Sequence, residues 1–214
     1  VVGGNANING EGTSNVNVHQ STSRAAINWN SFSVGANEST TFNVPTRKSV
    51  TFNRVTGGDP SQIMGSMTSN GKIILSNQNG IVFGSGSHVD AAGLVATTHD
   101  ASDDDFMAGG ALHFHANPGA NPNATVVNEG TINIRNAGAA AFVAPAVRNS
   151  GVISASLGKV TLGAAKGFSI DLYGDQLVSF GVNDEIASTV TTADGTPLKA
   201  LVENNGVINA SGGQ

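Results

Sequence analysis

Three groups of residues in this sequence have side chains that could do chemistry. Asp103-Asp104-Asp105 is an acidic triplet of the kind that solenoid polysaccharide lyases use for acid–base work on uronates. A lyase also needs a basic side chain to hold the developing carbanion. No Lys or Arg lies between Lys72 and Arg135. The triplet therefore reads as a cap for a short helical turn at Phe106-Met107. His113-Phe114-His115 would put two imidazoles on one strand face, with His88, His99 and Asp100 to complete a metal or haem site. The spacing matches no ligand motif, and exposed polar loop residues account for it better. Arg54 near Asp59 is either one half of a buried ion pair or an exposed binding charge. The ion pair is favoured, because arginine suits desolvated pairs. The chain has no cysteine, which excludes disulfides and thiolate metal sites. No enzyme activity, metal or cofactor is expected.

The elements that would carry these residues are short strands. Gly and Asn make up 52 of the 214 residues, and both favour tight turns. A helical bundle is excluded on that ground. The hydrophobic fraction is 39% with only 12% charged, which excludes wholesale disorder. A net charge of −5 gives no general phosphate-binding surface, so nucleic acid is not an expected partner. Apolar and polar residues alternate along 16–20, 26–29, 31–34, 41–44 and 49–52, each run bounded by Gly, Asn or Pro. The one good helix start is Asp59-Pro60-Ser61-Gln62, which Gly65 ends after about one turn.

The second half repeats. Asn128-Glu129-Gly130-Thr131-Ile132, Asn149-Ser150-Gly151-Val152-Ile153 and Asn204-Asn205-Gly206-Val207-Ile208 share the pattern Asn-x-Gly-x-Ile. The glycines are 21 and 55 residues apart. A period near 20 suits a solenoid of short strands, with the glycine at the bend and the Ile stacked inward. The longer gap holds a further coil strand at 158–163 and a strand pair within Phe168–Glu185. Residues 99–122 form an excursion from the solenoid. Phe32, Phe42, Phe52, Phe83, Phe142 and Ile132 are expected in a stacked core, and Trp29 in the core or the cap. The first ~20 residues should cover the open edge of the first coil. No linker interrupts the composition, so residues 1–214 read as one domain. The last residues, following directly on a repeat, read as part of a solenoid that continues.

Several blocks occur in a distinctive order. Ile27-Asn28-Trp29-Asn30-Ser31-Phe32 is followed by Phe52-Asn53-Arg54-Val55, then by Asp59-Pro60-Ser61-Gln62-Ile63-Met64-Gly65. Next come Asn77-Gln78-Asn79-Gly80-Ile81 and Val89-Asp90-Ala91-Ala92-Gly93-Leu94. This order resembles the N-terminal secretion domain of two-partner secretion exoproteins, the haemagglutination activity domain of filamentous haemagglutinin-like adhesins and haemolysins of Gram-negative bacteria. The likeness covers nearly the whole chain. It implies an all-β, right-handed parallel β-helix with an N-terminal cap and strands outside the helix. It also implies a targeting role. The domain would direct its exoprotein to a cognate outer-membrane transporter by contact with the transporter's periplasmic POTRA domains, and would then nucleate folding outside the cell. The protein would be secreted or held at the cell surface after crossing the periplasm. A receptor on a host or neighbouring cell is a further partner implied for the full-length protein.

The family carries proline where this chain has Gln78. Asn79-Gly80 still supplies a tight turn there. The resemblance makes Ile27, Trp29, Phe32, Asn53, Arg54, Asp59, Pro60, Gln62, Gly65, Asn77, Gln78, Asn79, Gly80 and Ile81 the candidate residues for transporter recognition or folding. Residues 15–52 are expected to be read as an extended strand, and Asn77–Ile81 to act as a corner. Two other functions stay open on sequence grounds: a β-helix enzyme acting on polysaccharide, and a glycan- or receptor-binding module.

Overall fold

A computed structural model describes residues 1–135, 137–171, 180–184, 189–192 and 195–212. The chain enters along β1 (Gly3–Asn9) and turns back into β2 (Asn15–Trp29). From there it winds through coils of up to three strands. The second coil is β3 (Ser39–Asn43), β4 (Val50–Val55) and β5 (Ser61–Ile63). The third is β6 (Ser66–Ser69), β7 (Lys72–Asn77) and β8 (Ile81–Phe83). The fourth runs through β9 (His88–Ala91) and β10 (Gly93–Thr97), leaves as α1 (Asp103–Ala108) and β11 (Ala111–His115), and returns as β12 (Thr125–Asn128). The fifth is β13 (Thr131–Ile134), β14 (Ala139–Ala144) and β15 (Ala146–Asn149). The sixth runs through β16 (Val152–Ala155) and β17 (Lys159–Ala164), leaves as β18 (Gly167–Asp171) and β19 (Phe180–Asp184), and returns as β20 (Val202–Asn204). Finally β21 (Val207–Asn209) stacks on β16.

Every pairing between coils is parallel and in register, which makes a parallel β-helix of about six turns with three faces. The first face holds β3, β6, β9, β13, β16 and β21, and the second holds β4, β7, β10, β14 and β17. The third holds β5, β8, β12, β15 and β20. The long strand β2 serves both of the first two faces, pairing with β3 through Asn15–His19 and with β4 through Arg24–Trp29. Its outer edge is closed by β1, which runs antiparallel to it. The N-terminal residues thus cap the first coil, as an otherwise open parallel edge requires. The expected strand at 31–34 reduces to a single bridge between Val34 and Ile63.

Two apolar layers hold the molecule. One fills the interior of the coils and includes Ile27, Phe32, Phe42, Phe83, Ile132, Phe142 and Ile153. The other lies outside the second face, where Val50, Phe52, Ile74, Val95 and Val143 meet Phe106, Leu112, Phe114, Phe168 and Ile170 from the two excursions. Phe52 therefore belongs not to the solenoid core but to this outer layer. Its ring meets Phe106 at 5.4 Å and Phe114 at 6.2 Å between centroids, and Phe114 stacks on Phe168 at 4.7 Å. The reason is strand alternation. Ile73 and Leu75 point in, so Ile74 between them points out, and Phe52 shares its register.

The repeated corners stack as their spacing requires. Thr131, Val152 and Val207 follow one another in register. The asparagines before them form a ladder: Asn128 Nδ2 donates to Asn149 Oδ1 at 2.7 Å, and Asn149 Nδ2 to Asn204 Oδ1 at 2.7 Å. A Cβ on Gly151 would stand 2.2 Å from the carbonyl oxygen of Gly130, so each coil seats on the bare backbone of the one before.

The expected helix start at Asp59–Gly65 is a strand. Ser61–Ile63 form β5 and pair with Ile81–Phe83 of the next coil. The ladder outcompetes a helix too short to sustain itself. Pro60 stands just before β5, where its missing N–H costs no ladder bond.

If the outer layer carries its share of the fold, Phe52→Ala should destabilise the domain by about 3–5 kcal/mol in urea unfolding. A loss under 1 kcal/mol would show that the excursions are loosely attached.

Candidate functional site

Asn77–Ile81 forms the corner between the second and third faces in the third coil, and its polar atoms are turned onto the coil before it. Asn77 Nδ2 donates to the carbonyl of Asp59 and to Ser61 Oγ, both at 3.0 Å. Asn77 Oδ1 accepts the Asn79 backbone N–H at 2.9 Å, and Asn79 Nδ2 donates to the Gly57 carbonyl at 2.8 Å. Gly57 N–H in turn donates to the Asn30 carbonyl at 3.1 Å. Gly80 has φ of +113°, a conformation only glycine adopts freely. Its carbonyl accepts the Ser61 N–H at 3.0 Å. Ile81 is fully buried between Ser61 and Val126. The motif is a staple of three successive coils.

The remaining candidates separate into groups. Trp29 Nε1 donates to Asn53 Oδ1 at 3.0 Å, both buried. Asn53 Nδ2 passes the chain on to the Ile74 carbonyl at 3.3 Å. Ile27 and Phe32 are core. Gly65 packs where a Cβ would lie 2.1 Å from the Gly35 carbonyl oxygen. Asp59, Pro60 and Gln62 are exposed, and Asp59 enters the corner through its main chain. Gln78 lines a cavity of about 190 Å³ with Arg54, Ser76, Thr98, Asp100 and Asn117.

Arg54 does not pair with Asp59. Its Nε donates to Asp100 Oδ1 at 2.7 Å, one Nη contacts Asp103 Oδ1 at 2.8 Å, and the other donates to the Ala101 carbonyl at 2.7 Å. Its guanidinium lies 4.7 Å over the Phe52 ring. Burial opposes the charge, but the hydrogen bonds and attraction of the two aspartates outweigh it and hold the pKa above the ordinary arginine value. Arg54 on the second coil thus clamps the root of the excursion that leaves the fourth coil.

The acidic triplet is used by the same excursion. Asp103, Asp104 and Asp105 are the first turn of α1, where carboxylates suit the positive helix end. The cap itself is Ser102, whose side chain accepts the Asp105 N–H at 3.3 Å, so the triplet is not the cap. His113 and His115 are exposed on β11, a strand rather than a loop, and His113 Nδ1 lies 2.8 Å from Ser169 Oγ. His99, in contrast to them, is not exposed. It is buried, 5.7 Å edge-on to Phe168, with Nδ1 3.2 Å from Thr97 Oγ1. Burial lowers its pKa to about 4. Among the described residues no group of three or more His, Asp or Glu is placed to hold a metal ion. Sequence spacing offered no signal for Asp100, Asp103 or Ser61 as partners, because each meets its neighbour across coils.

A family model described as the TPS secretion domain matches residues 2–213. The crystal structure of the HMW1 secretion domain from Haemophilus influenzae superposes with a TM-score of 0.80 at 30% identity, over 100% of this chain and 53% of that one. Two curated relatives from Haemophilus influenzae, each named heme/hemopexin-binding protein, are 44% identical over 100 residues and 42% identical over 83. Those stretches are 47% and 39% of this chain, but only 11% and 9% of the relatives.

Two outcomes follow from the clamp and the buried imidazole. Arg54→Met should cost about 2–3 kcal/mol, below the cost of breaking a fully buried pair because Asp103 keeps contact with water, whereas Asp59→Asn should be neutral. Equal losses would restore the Arg54–Asp59 pairing. For His99, the unfolded chain takes up a proton near pH 6.5 and the folded chain only near 4. Its contribution is therefore complete above 6.5 and is lost as pH falls through this window. Wild type should lose about 2–3 kcal/mol more than His99→Phe between pH 7.5 and 4.5. Parallel pH profiles would contradict that assignment.

Proposed function

The chain belongs to the TPS secretion domain family, and on that premise we propose that it addresses its exoprotein to a cognate outer-membrane transporter and then starts the β-helix outside the cell. The family match over residues 2–213 carries this reading. The contact is made with the transporter's periplasmic POTRA domains by an unfolded chain. Ile27 and Phe32 are buried in the folded domain and could not be read there. The segment 15–52 suits addition to a sheet edge. It contains the longest strand among the described residues, fifteen residues, which already pairs with β1, β3 and β4. Main-chain hydrogen bonds would supply affinity and alternate side chains the register. Asn77–Ile81 then acts after export, when its side chains staple the second coil to the third.

For the whole exoprotein, haem or hemopexin binding is the activity we infer, from the names of the two relatives. A mature exoprotein retained on haem–agarose would support it. Passage in the unbound fraction of both haem–agarose and immobilised hemopexin would remove it, leaving the targeting role untouched.

Pull-downs of the urea-unfolded domain by isolated POTRA domains test the targeting role. Ile27→Asp with Phe32→Asp should abolish capture. Asn79→Ala with Gly80→Val should leave capture intact and block folding, since the valine would be forced to a positive φ. The reverse pattern would move recognition to the Asn77–Ile81 corner.

A further inference from the structure

The cavity of about 190 Å³ beside Gln78 shares one wall with the Arg54 clamp, but the rest of its lining has no part in the clamp. Three successive coils build it. Arg54 comes from the second, Ser76 and Gln78 from the third, and Thr98, Asp100 and Asn117 from the fourth and the excursion that leaves it. Its volume is far above what a single ordered water needs. It is below the ~300 Å³ at which sites for drug-sized ligands begin. The space suits a ligand with one small ring.

The lining divides into engaged and free groups. Arg54 and Asp100 hold each other at 2.7 Å, and Ser76 Oγ donates to the His99 carbonyl at 2.7 Å. Gln78 is half-buried, and its side-chain amide has no partner among the described residues. Thr98 is only 5% exposed, and its hydroxyl has none either. Asn117 donates one N–H to Asp100 Oδ2 at 3.4 Å, which leaves its other N–H and its Oδ1 open. A hydroxyl as deeply buried as that of Thr98 calls for a partner inside the cavity. The free groups select a class of ligand. A side-chain amide and a hydroxyl each offer both a donor and an acceptor. Their complement is a group that also does both, which is an alcohol hydroxyl and not a carboxylate or an ammonium. Charge points the same way. Arg54 faces both Asp100 and Asp103, so the wall has no surplus positive charge for an anion.

We propose that this cavity binds one neutral hexose, the terminal residue of a glycan, with ring hydroxyls bridging Gln78, Thr98 and Asn117. A closed pocket of this size takes the end of a glycan and not its middle. The site exists only when the second, third and fourth coils are stacked. It therefore belongs to the folded domain and stands apart from recognition of the unfolded chain by the transporter.

The test is an NMR titration of the folded, nitrogen-labelled domain with the methyl glycosides of glucose, galactose and mannose at millimolar concentration. At least one should shift the side-chain amide signals of Gln78 and Asn117. Gln78→Ala and Thr98→Val should each weaken that glycoside about tenfold, as loss of one or two hydrogen bonds does. Asn133→Ala, which removes an amide from β13 on the first face, should leave its affinity unchanged. The matching uronoside, the same ring with a carboxylate, should bind at least about tenfold more weakly beside Asp100. Gln78→Ala removes a side chain that makes no bond, so its urea midpoint should equal that of wild type. It keeps the test valid if Thr98→Val unfolds. No shift at Gln78 and Asn117 with any of the three glycosides would overturn the proposal. So would an equal loss from Asn133→Ala, or a uronoside that binds more tightly than its hexoside. Binding of the free hexoses but not of their methyl glycosides would overturn the terminal-residue assignment.

Discussion

The second face of the solenoid is apolar on both sides, and most of the architecture answers to that. Stacked parallel strands put every other residue outward, and here the outward residues include Val50, Phe52, Ile74 and Val95. Left bare, they would form an exposed hydrophobic sheet. The chain covers them by leaving the helix twice after the second face, once from the fourth coil and once from the sixth. The two excursions meet over the sheet as β11 and β18, paired antiparallel, and bring Phe114 and Phe168 into stacking. Arg54 fixes the first excursion at its root, and His99 sits buried beneath Phe168 of the second.

This arrangement orders the assembly of the domain. Coils can stack as each is completed, because register is set by neighbours alone. The outer layer cannot close until residues near 171 are available, since Phe168 and Ile170 belong to it. Polar groups at the corners hold the stack together in the meantime. Asn77 and Asn79 tie the third coil to the second, and the Asn128–Asn149–Asn204 ladder ties the fourth to the sixth. The family motif and the later repeats are thus two solutions to one problem, which is to satisfy buried backbone groups at a bend without adding bulk.

Much of the coil architecture was legible in the residues. The Asn-x-Gly-x-Ile repeat marks a corner because glycine is sterically required and the Ile after it points inward, and both are local facts. The first excursion was legible as an interruption of that pattern, and the second only as a strand pair within the longer gap. Three things were not. Phe52 reads as core because alternation tells which residues share a face, not which face lies inside. Asp59-Pro60 reads as a helix start because the competing ladder partner, Ile81–Phe83, is supplied by another coil. Arg54 reads as a partner of Asp59 because that is the nearest acid after it in sequence. Its real partner, Asp100, is 46 residues away and meets it only when the excursion folds down.

Native-state hydrogen exchange, resolved by segment, tests the central claim most directly. If the excursions are integral to the fold, the amides of β11 and β18 should open together with those of β4, β7 and β10, at one common free energy and as one cooperative unit. Free exchange of β11 and β18 while β4, β7 and β10 stay protected would contradict it. The second face would then be stable without its cover, and the outer layer would be an ornament on a self-sufficient solenoid.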